Sequence, residues 1–96
     1  MDHLYIVTYD IGDAATWRMV FKIMKGYGEW VQLSVFQCRL DVVRHAEMIA
    51  DLDRAIDHAH DHVVIFDLGP ALSVSPRVVS LGKEAFTPVE LKATIV

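Results

Sequence analysis

Leu4-Tyr5-Ile6-Val7-Thr8-Tyr9-Asp10 is the stretch that most limits what this chain can become. Its residues are β-branched, aromatic or aliphatic up to an abrupt carboxylate, which describes a buried strand. Gly12 and Asp13 follow. Trp17, Val20, Phe21 and Met24 then recur at i, i+3, i+4 and i+7, which predicts a helix from about Ala14 to Gly26. Asp13 is suited to cap it by accepting from the free backbone N–H groups of the first turn. The chain thus passes from strand to helix directly after Asp10. A carboxylate there either ties down the turn or stands at the strand edge for a metal ion or ligand.

The remaining elements follow from the same periodicities. Trp30 to Leu40 reads as a strand with Val31, Leu33 and Val35 on one side. It is long for one strand, so a bend near Phe36-Gln37 is expected to split it in two. A second helix is expected over about Val43 to His60, with Ile49, Leu52, Ile56 and Ala59 on its apolar face, beside Met48 and Ala55. Glu47, Asp51, Arg54 and His58 fall on its wet face. His62 to Gly69 is a strand whose Val63-Val64-Ile65-Phe66 run suggests burial on both sides. Val78 to Gly82 reads as a short last strand. The order predicts an α+β, ferredoxin-like βαββαβ sandwich with an extra C-terminal strand. Residues 1–82 form the domain and residues 83–96 its tail. That fold hosts many functions and by itself names none.

With 96 residues the chain makes one domain. A hydrophobic share of 53% is more than so small a body easily hides, which points to a homodimer. Cys38 is the single cysteine, so no internal disulfide forms, in keeping with a reducing cytoplasm. Neither a signal peptide nor an apolar run of about 18 residues is present, so no membrane association is expected. The net charge of −4 argues against a uniformly basic nucleic-acid binder. The acidity is local, however: Glu47, Asp51, Asp53, Asp57 and Asp61 crowd residues 43–62 against only Arg44 and Arg54.

Arg18, Lys22 and Lys25 recur at i, i+4 and i+7, a purely cationic stripe on the first helix. It is either a solvated face or a track for phosphates, which two-fold symmetry would double. Arg39 and Arg77 are candidates to extend it. Asp57-His58-Ala59-His60-Asp61-His62 is better read as a polar helix end than as a zinc site, because its histidines are spaced by two rather than four. Ser34 and Cys38 lack the neighbours of a nucleophile and read as strand residues. No Walker A loop or G-x-G-x-x-G occurs, so nucleotide cofactors are unsupported.

Tyr9-Asp10-Ile11 at a strand end, Trp17-Arg18 on the next helix and Gln32-Leu33-Ser34-Val35-Phe36-Gln37-Cys38 together resemble the CRISPR-associated Cas2 family, over roughly residues 4–82. These are small proteins of spacer acquisition. The resemblance implies a homodimer of ferredoxin-like domains, with the tail passing to the partner's sheet. It implies that Asp10 is the catalytic and metal-binding residue, holding Mg²⁺, or alternatively Mn²⁺, at the dimer interface. It implies cleavage of single-stranded RNA or double-stranded DNA, and a bridging place between dimers of a Cas1-type integrase. Arg18 matches a family residue for backbone contact, although Trp17 and Met19 flank it here where relatives carry further basic residues. A metal nuclease, a non-catalytic scaffold and a small-molecule sensor on the same fold all remain open on the residues.

Overall fold

The computed structural model describes residues 1–83 and 86–89. Six elements succeed one another: β1 (His3–Asp10), α1 (Ala14–Lys25), β2 (Glu29–Gln32), β3 (Val35–Leu40), α2 (Val42–Ala55) and β4 (His62–Pro70). The four strands form one sheet in the order β2-β3-β1-β4, with every pairing antiparallel. This is the expected ferredoxin-like topology, with β1 and β3 central.

The sheet has two unlike faces because successive strand residues point to opposite sides. Tyr5, Val7 and Tyr9 of β1 and Phe36, Cys38 and Leu40 of β3 pack under Val20 and Met24 of α1 and Met48 and Leu52 of α2. Phe36, Met24, Met48, Val7, Val20 and Cys38 are fully enclosed. Leu4, Ile6, Thr8 and Asp10 therefore line the open face, with Gln37 and Arg39 of β3 and Val64 and Phe66 of β4.

Several expectations require correction. The Trp30–Leu40 segment is a hairpin whose turn lies at Leu33-Ser34, not at Phe36-Gln37. Leu33 adopts φ 42°, and its carbonyl accepts the Trp30 indole N–H at 2.9 Å. The period-two reading accordingly slips: Phe36 and Cys38 point into the core, while Leu33 is 76% exposed. The second helix stops at Ala55 rather than His60. Asp61 accepts from the Asp57 N–H and Asp57 accepts from the Ala59 N–H, a local turn that competes with helix continuation. Met48 and Leu52 are its buried residues, whereas Ile49 is exposed. Asp51 is part-exposed on the polar side of α2, where the Tyr27 hydroxyl donates to it at 2.5 Å and ties the residue after α1 to α2. β4 is an edge strand with Phe66 52% exposed, so its apolar run is covered on one side only. Val78 to Gly82 is not a strand, since it has no ladder partner among the described residues. Exchange of the tail across a dimer concerns residues that lie largely outside the described ones.

The described part of the tail nevertheless bears on the open face. Gln37 is only 5% exposed. Its amide donates to the Thr87 carbonyl at 2.7 Å, and its carbonyl accepts from the Val89 N–H at 2.8 Å. One side chain thus satisfies both polar edges of a crossing segment. Gln37→Ala is expected to release this segment at a cost of about 1–3 kcal/mol. Limited trypsin digestion should then cut after the exposed Lys83 faster than in the parent protein; an unchanged rate would rule the clamp out.

Candidate functional site

Asp10 ends β1 on the open face and is exposed. It does not cap the following helix. Asp13 is the N-cap, and its carboxylate accepts from both the Thr16 N–H and the Thr16 hydroxyl at 2.9 Å. Those bonds, the Thr16 N–H foremost, hold the Asp13 carboxyl below its ordinary value. The Asp10 carboxylate is thereby left free of capping duty.

The hairpin turn braces the backbone that carries it. The Tyr9 N–H donates to the Ser34 carbonyl at 3.1 Å. The Ser34 hydroxyl accepts the Trp17 indole N–H at 2.8 Å. Ser34 thus ties the end of β1 to α1, and it lies in a turn rather than a strand. The Trp17 ring packs at 5.3 Å from Phe21 and at 6.1 Å from Tyr9, so the whole corner is aromatic on its core side. Tyr9 points to the core, away from Asp10. Its hydroxyl is buried without a partner among the described residues, and burial pushes the phenol up to about 12. It stays protonated at neutral pH and supplies no general base.

Across the sheet, Asp10 is in register with His62, the first residue of β4. His62 is exposed. The other histidines of that linker are bound in the turn: His58 contacts the Asp53 carbonyl at 2.9 Å and His60 contacts Asp57 at 2.9 Å. Hydrogen bonding to Asp57 holds His60 above its ordinary value. Sequence reading grouped His62 with these two, and only the strand register separates it from them. No cluster of three or more metal-ligating side chains exists among the described residues.

The basic residues do not converge within one chain. Arg18, Lys22 and Lys25 are all exposed on α1, in the helical layer. None of them is ion-paired to a described residue, and Lys25 lies 5.8 Å from the Phe21 ring centroid. Arg39 is on the opposite, open face and bonds Asp2 at 3.2 Å. Arg77 is exposed in the segment after β4. Arg44, which sequence reading treated only as a charge, lies over the Tyr27 ring at 4.4 Å and donates to the Gly26 carbonyl at 2.7 Å, a packing role.

Cys38 is fully buried, and burial pushes its thiol up to about 12. The native protein is expected to resist iodoacetamide at pH about 8 and to react once unfolded, because only the thiolate attacks. Labelling of the folded protein, read by mass, would contradict this burial.

A family model described as CRISPR associated protein Cas2 matches residues 3–71. The chain is 54% identical over 96 residues to the CRISPR-associated endoribonuclease Cas2 of Geobacter sulfurreducens, covering 100% of each. It is 56% identical over 95 residues to a CRISPR-associated endoribonuclease Cas2 of Rhodospirillum rubrum, spanning 99% of this chain and 92% of that one. Among solved structures it is similar to Streptococcus pyogenes Cas2 at pH 6.5, with TM-score 0.72 and 30% identity over 82% of this chain and 99% of that one. A hypothetical protein from Thermus thermophilus gives TM-score 0.77 and 32% identity over 90% and 98% of the two chains. The family match over most of the chain, the near full-length relatives and the shared fold agree: this chain belongs to the CRISPR-associated Cas2 family.

Proposed function

We propose that this chain is a homodimeric nuclease of CRISPR spacer acquisition that binds duplex DNA and hydrolyses RNA or DNA phosphodiesters with a divalent cation. The observation that carries the reading is the exposed Asp10 carboxylate, braced at the C-terminal end of β1 and relieved of capping by Asp13. The names of the relatives, endoribonucleases among them, support the reaction class. The open face supports the dimer: Ile6, Val64 and a half-exposed Phe66 form an apolar surface that a second copy covers. The outer edge of β4, nine residues long and without a ladder partner among the described residues, suits an added strand such as the partner's tail. Facing copies bring two Asp10 carboxylates to one ion, Mg²⁺ or alternatively Mn²⁺, which accept oxygen ligands and retain several waters. The bound ion supplies a Lewis acid and a water of lowered pKa for phosphodiester hydrolysis. Arg18 and Lys22, in the helical layer, hold duplex DNA through its backbone phosphates and read no sequence.

One observation favours a second reading, a non-catalytic bridge between Cas1-type integrase dimers. The α1 cations lie in the layer away from the Asp10 face, so a duplex can be gripped there without reaching Asp10. The two readings part in a cleavage assay on the purified protein. Single-stranded RNA and double-stranded DNA are incubated with Mg²⁺ or with EDTA, and oligomeric state is measured in parallel. Cleavage by a dimer in Mg²⁺ that stops in EDTA supports the nuclease. A dimer that shifts duplex DNA in a salt-dependent manner yet cuts neither substrate sinks it and leaves the scaffold.

A further inference from the structure

Trp30 is a large aromatic side chain left 49% exposed. Its register partner on β3 is the buried Phe36, so it projects into the helical layer. There it meets the Phe21 ring edge-on, with centroids 6.2 Å apart. Lys25 lies over that same Phe21 ring at 5.8 Å. A half-exposed indole and a cation thus flank one phenyl ring, in the layer that also carries the exposed Arg18 and Lys22. Glu29, the acid next to Trp30 in sequence, projects to the other face of the sheet. The indole N–H already donates to the Leu33 carbonyl at 2.9 Å, which fixes the ring and leaves its π surface as the part free to bind. A groove of about 640 Å³ opens beside it, lined by Leu33, Val78, Val79, Leu81 and Lys83. The Ser34 carbonyl of the same turn accepts from the Tyr9 N–H, so the indole stands at the end of the sheet that carries Asp10, on the opposite face.

We infer that Trp30 is a stacking platform for an unpaired nucleobase, and that Lys22 and Lys25 hold the phosphates of the same single strand. The inference rests on the reading of the α1 cations as a phosphate track and adds the strandedness of the ligand. An aromatic face beside a basic stripe is the chemistry by which proteins hold single strands: every base has a π face to stack, and the backbone follows the cations. Inside a duplex each base is already paired and stacked, so an indole on the protein surface gains nothing from it. The positive charge beside the ring selects a phosphate-bearing ligand over an apolar peptide. The site holds a strand and performs no chemistry on it.

The test measures binding on the full chain in EDTA, so that cation-dependent cleavage does not intervene. The probes are single-stranded DNA of about 12 nucleotides, an abasic strand of the same length that keeps every phosphate and lacks every base, and a blunt duplex. The parent is expected to bind the strand with bases at least about fivefold tighter than the abasic strand. Binding of that strand is expected to quench the protein's tryptophan emission, and the abasic strand to leave it unchanged. Trp17, the other tryptophan, is half-buried with its indole N–H tied to Ser34, so the quenching reports Trp30. Trp30→Leu is expected to reduce single-strand affinity to the abasic level while duplex affinity stays within about twofold. Trp30→Phe keeps a ring face and retains most of the affinity. Lys25→Ala is expected instead to weaken both strands and to flatten the log–log salt dependence by about 0.7. If the parent binds both strands equally and its emission does not change, the inference is overturned, and salt-sensitive duplex binding leaves the proposed function in place. Unchanged single-strand affinity in a folded Trp30→Leu overturns it as well. If neither strand nor duplex binds, the phosphate-track reading falls and takes the inference with it. The quenching of the parent needs no variant, so the outcome does not depend on how well Trp30→Leu folds.

Discussion

Asp10→Ala is expected to lower cation-dependent cleavage by about a hundredfold or more while leaving the melting temperature nearly unchanged. Both halves follow from the same placement. A cation contributes several kcal/mol of transition-state stabilisation, and each 1.36 kcal/mol is about tenfold in rate, so losing its carboxylate anchor removes at least about two decades. The side chain is exposed, does not cap α1 and packs against no core residue. Surface changes of that kind stay within about 0.5 kcal/mol. Asp10→Asn sharpens the comparison because it keeps the shape and removes the charge. The measurement is kcat on single-stranded RNA and duplex DNA at saturating Mg²⁺, with thermal melting of the same samples. Full activity in a clean Asp10→Ala preparation would sink the proposed site. A large fall in melting temperature would show instead that the carboxylate is structural.

Gly28→Ala is expected to have the opposite profile, with a large loss of stability that no change of substrate or cation corrects. Gly28 lies between α1 and β2, and its N–H donates to the Met24 carbonyl at 2.9 Å. A Cβ there would stand 2.4 Å from the Gln37 carbonyl oxygen and 2.5 Å from the Cys38 sulfur. Neither neighbour can retreat, because both belong to β3, which is laddered to β1 on one side and β2 on the other. Overpacking of this kind costs about 3 kcal/mol, which lowers the melting temperature of a domain this size by roughly 12–24 °C. Gly12→Ala is the control, since nothing lies within 4 Å of its added Cβ. Equal melting temperatures for the two variants would show that the chain around Gly28 yields more easily than its geometry indicates.

The legible parts of this protein were those set by neighbours in sequence. β1 and α1 were readable because an unbroken β-forming run and an i, i+3, i+4, i+7 stripe each carry a single period, and Asp13 marks the boundary between them. The hairpin was misplaced by a few residues because Leu33 is not a turn-forming residue; its positive φ is held by Trp30, and the neighbouring Ser34 is anchored by Trp17. The end of α2 was misjudged because the carboxylates of Asp57 and Asp61 bond backbone N–H groups, which hydrophobic periodicity does not register. β4 looked doubly buried because its composition matches a central strand, yet it lies at an edge.

The sequence by itself determined the family, the α+β class, the strand that delivers Asp10 and the cap that frees it. These depend on residue type and on spacing within a few positions, where backbone geometry leaves little choice. Only the tertiary structure decided that Gln37 clamps the tail, that the α1 cations and Arg39 occupy opposite layers, and that His62 stands opposite Asp10. Those relations join residues as much as 52 positions apart, as from Gln37 to Val89. They depend on strand order and register, and a slip of one residue would turn every side chain of a strand to the other face.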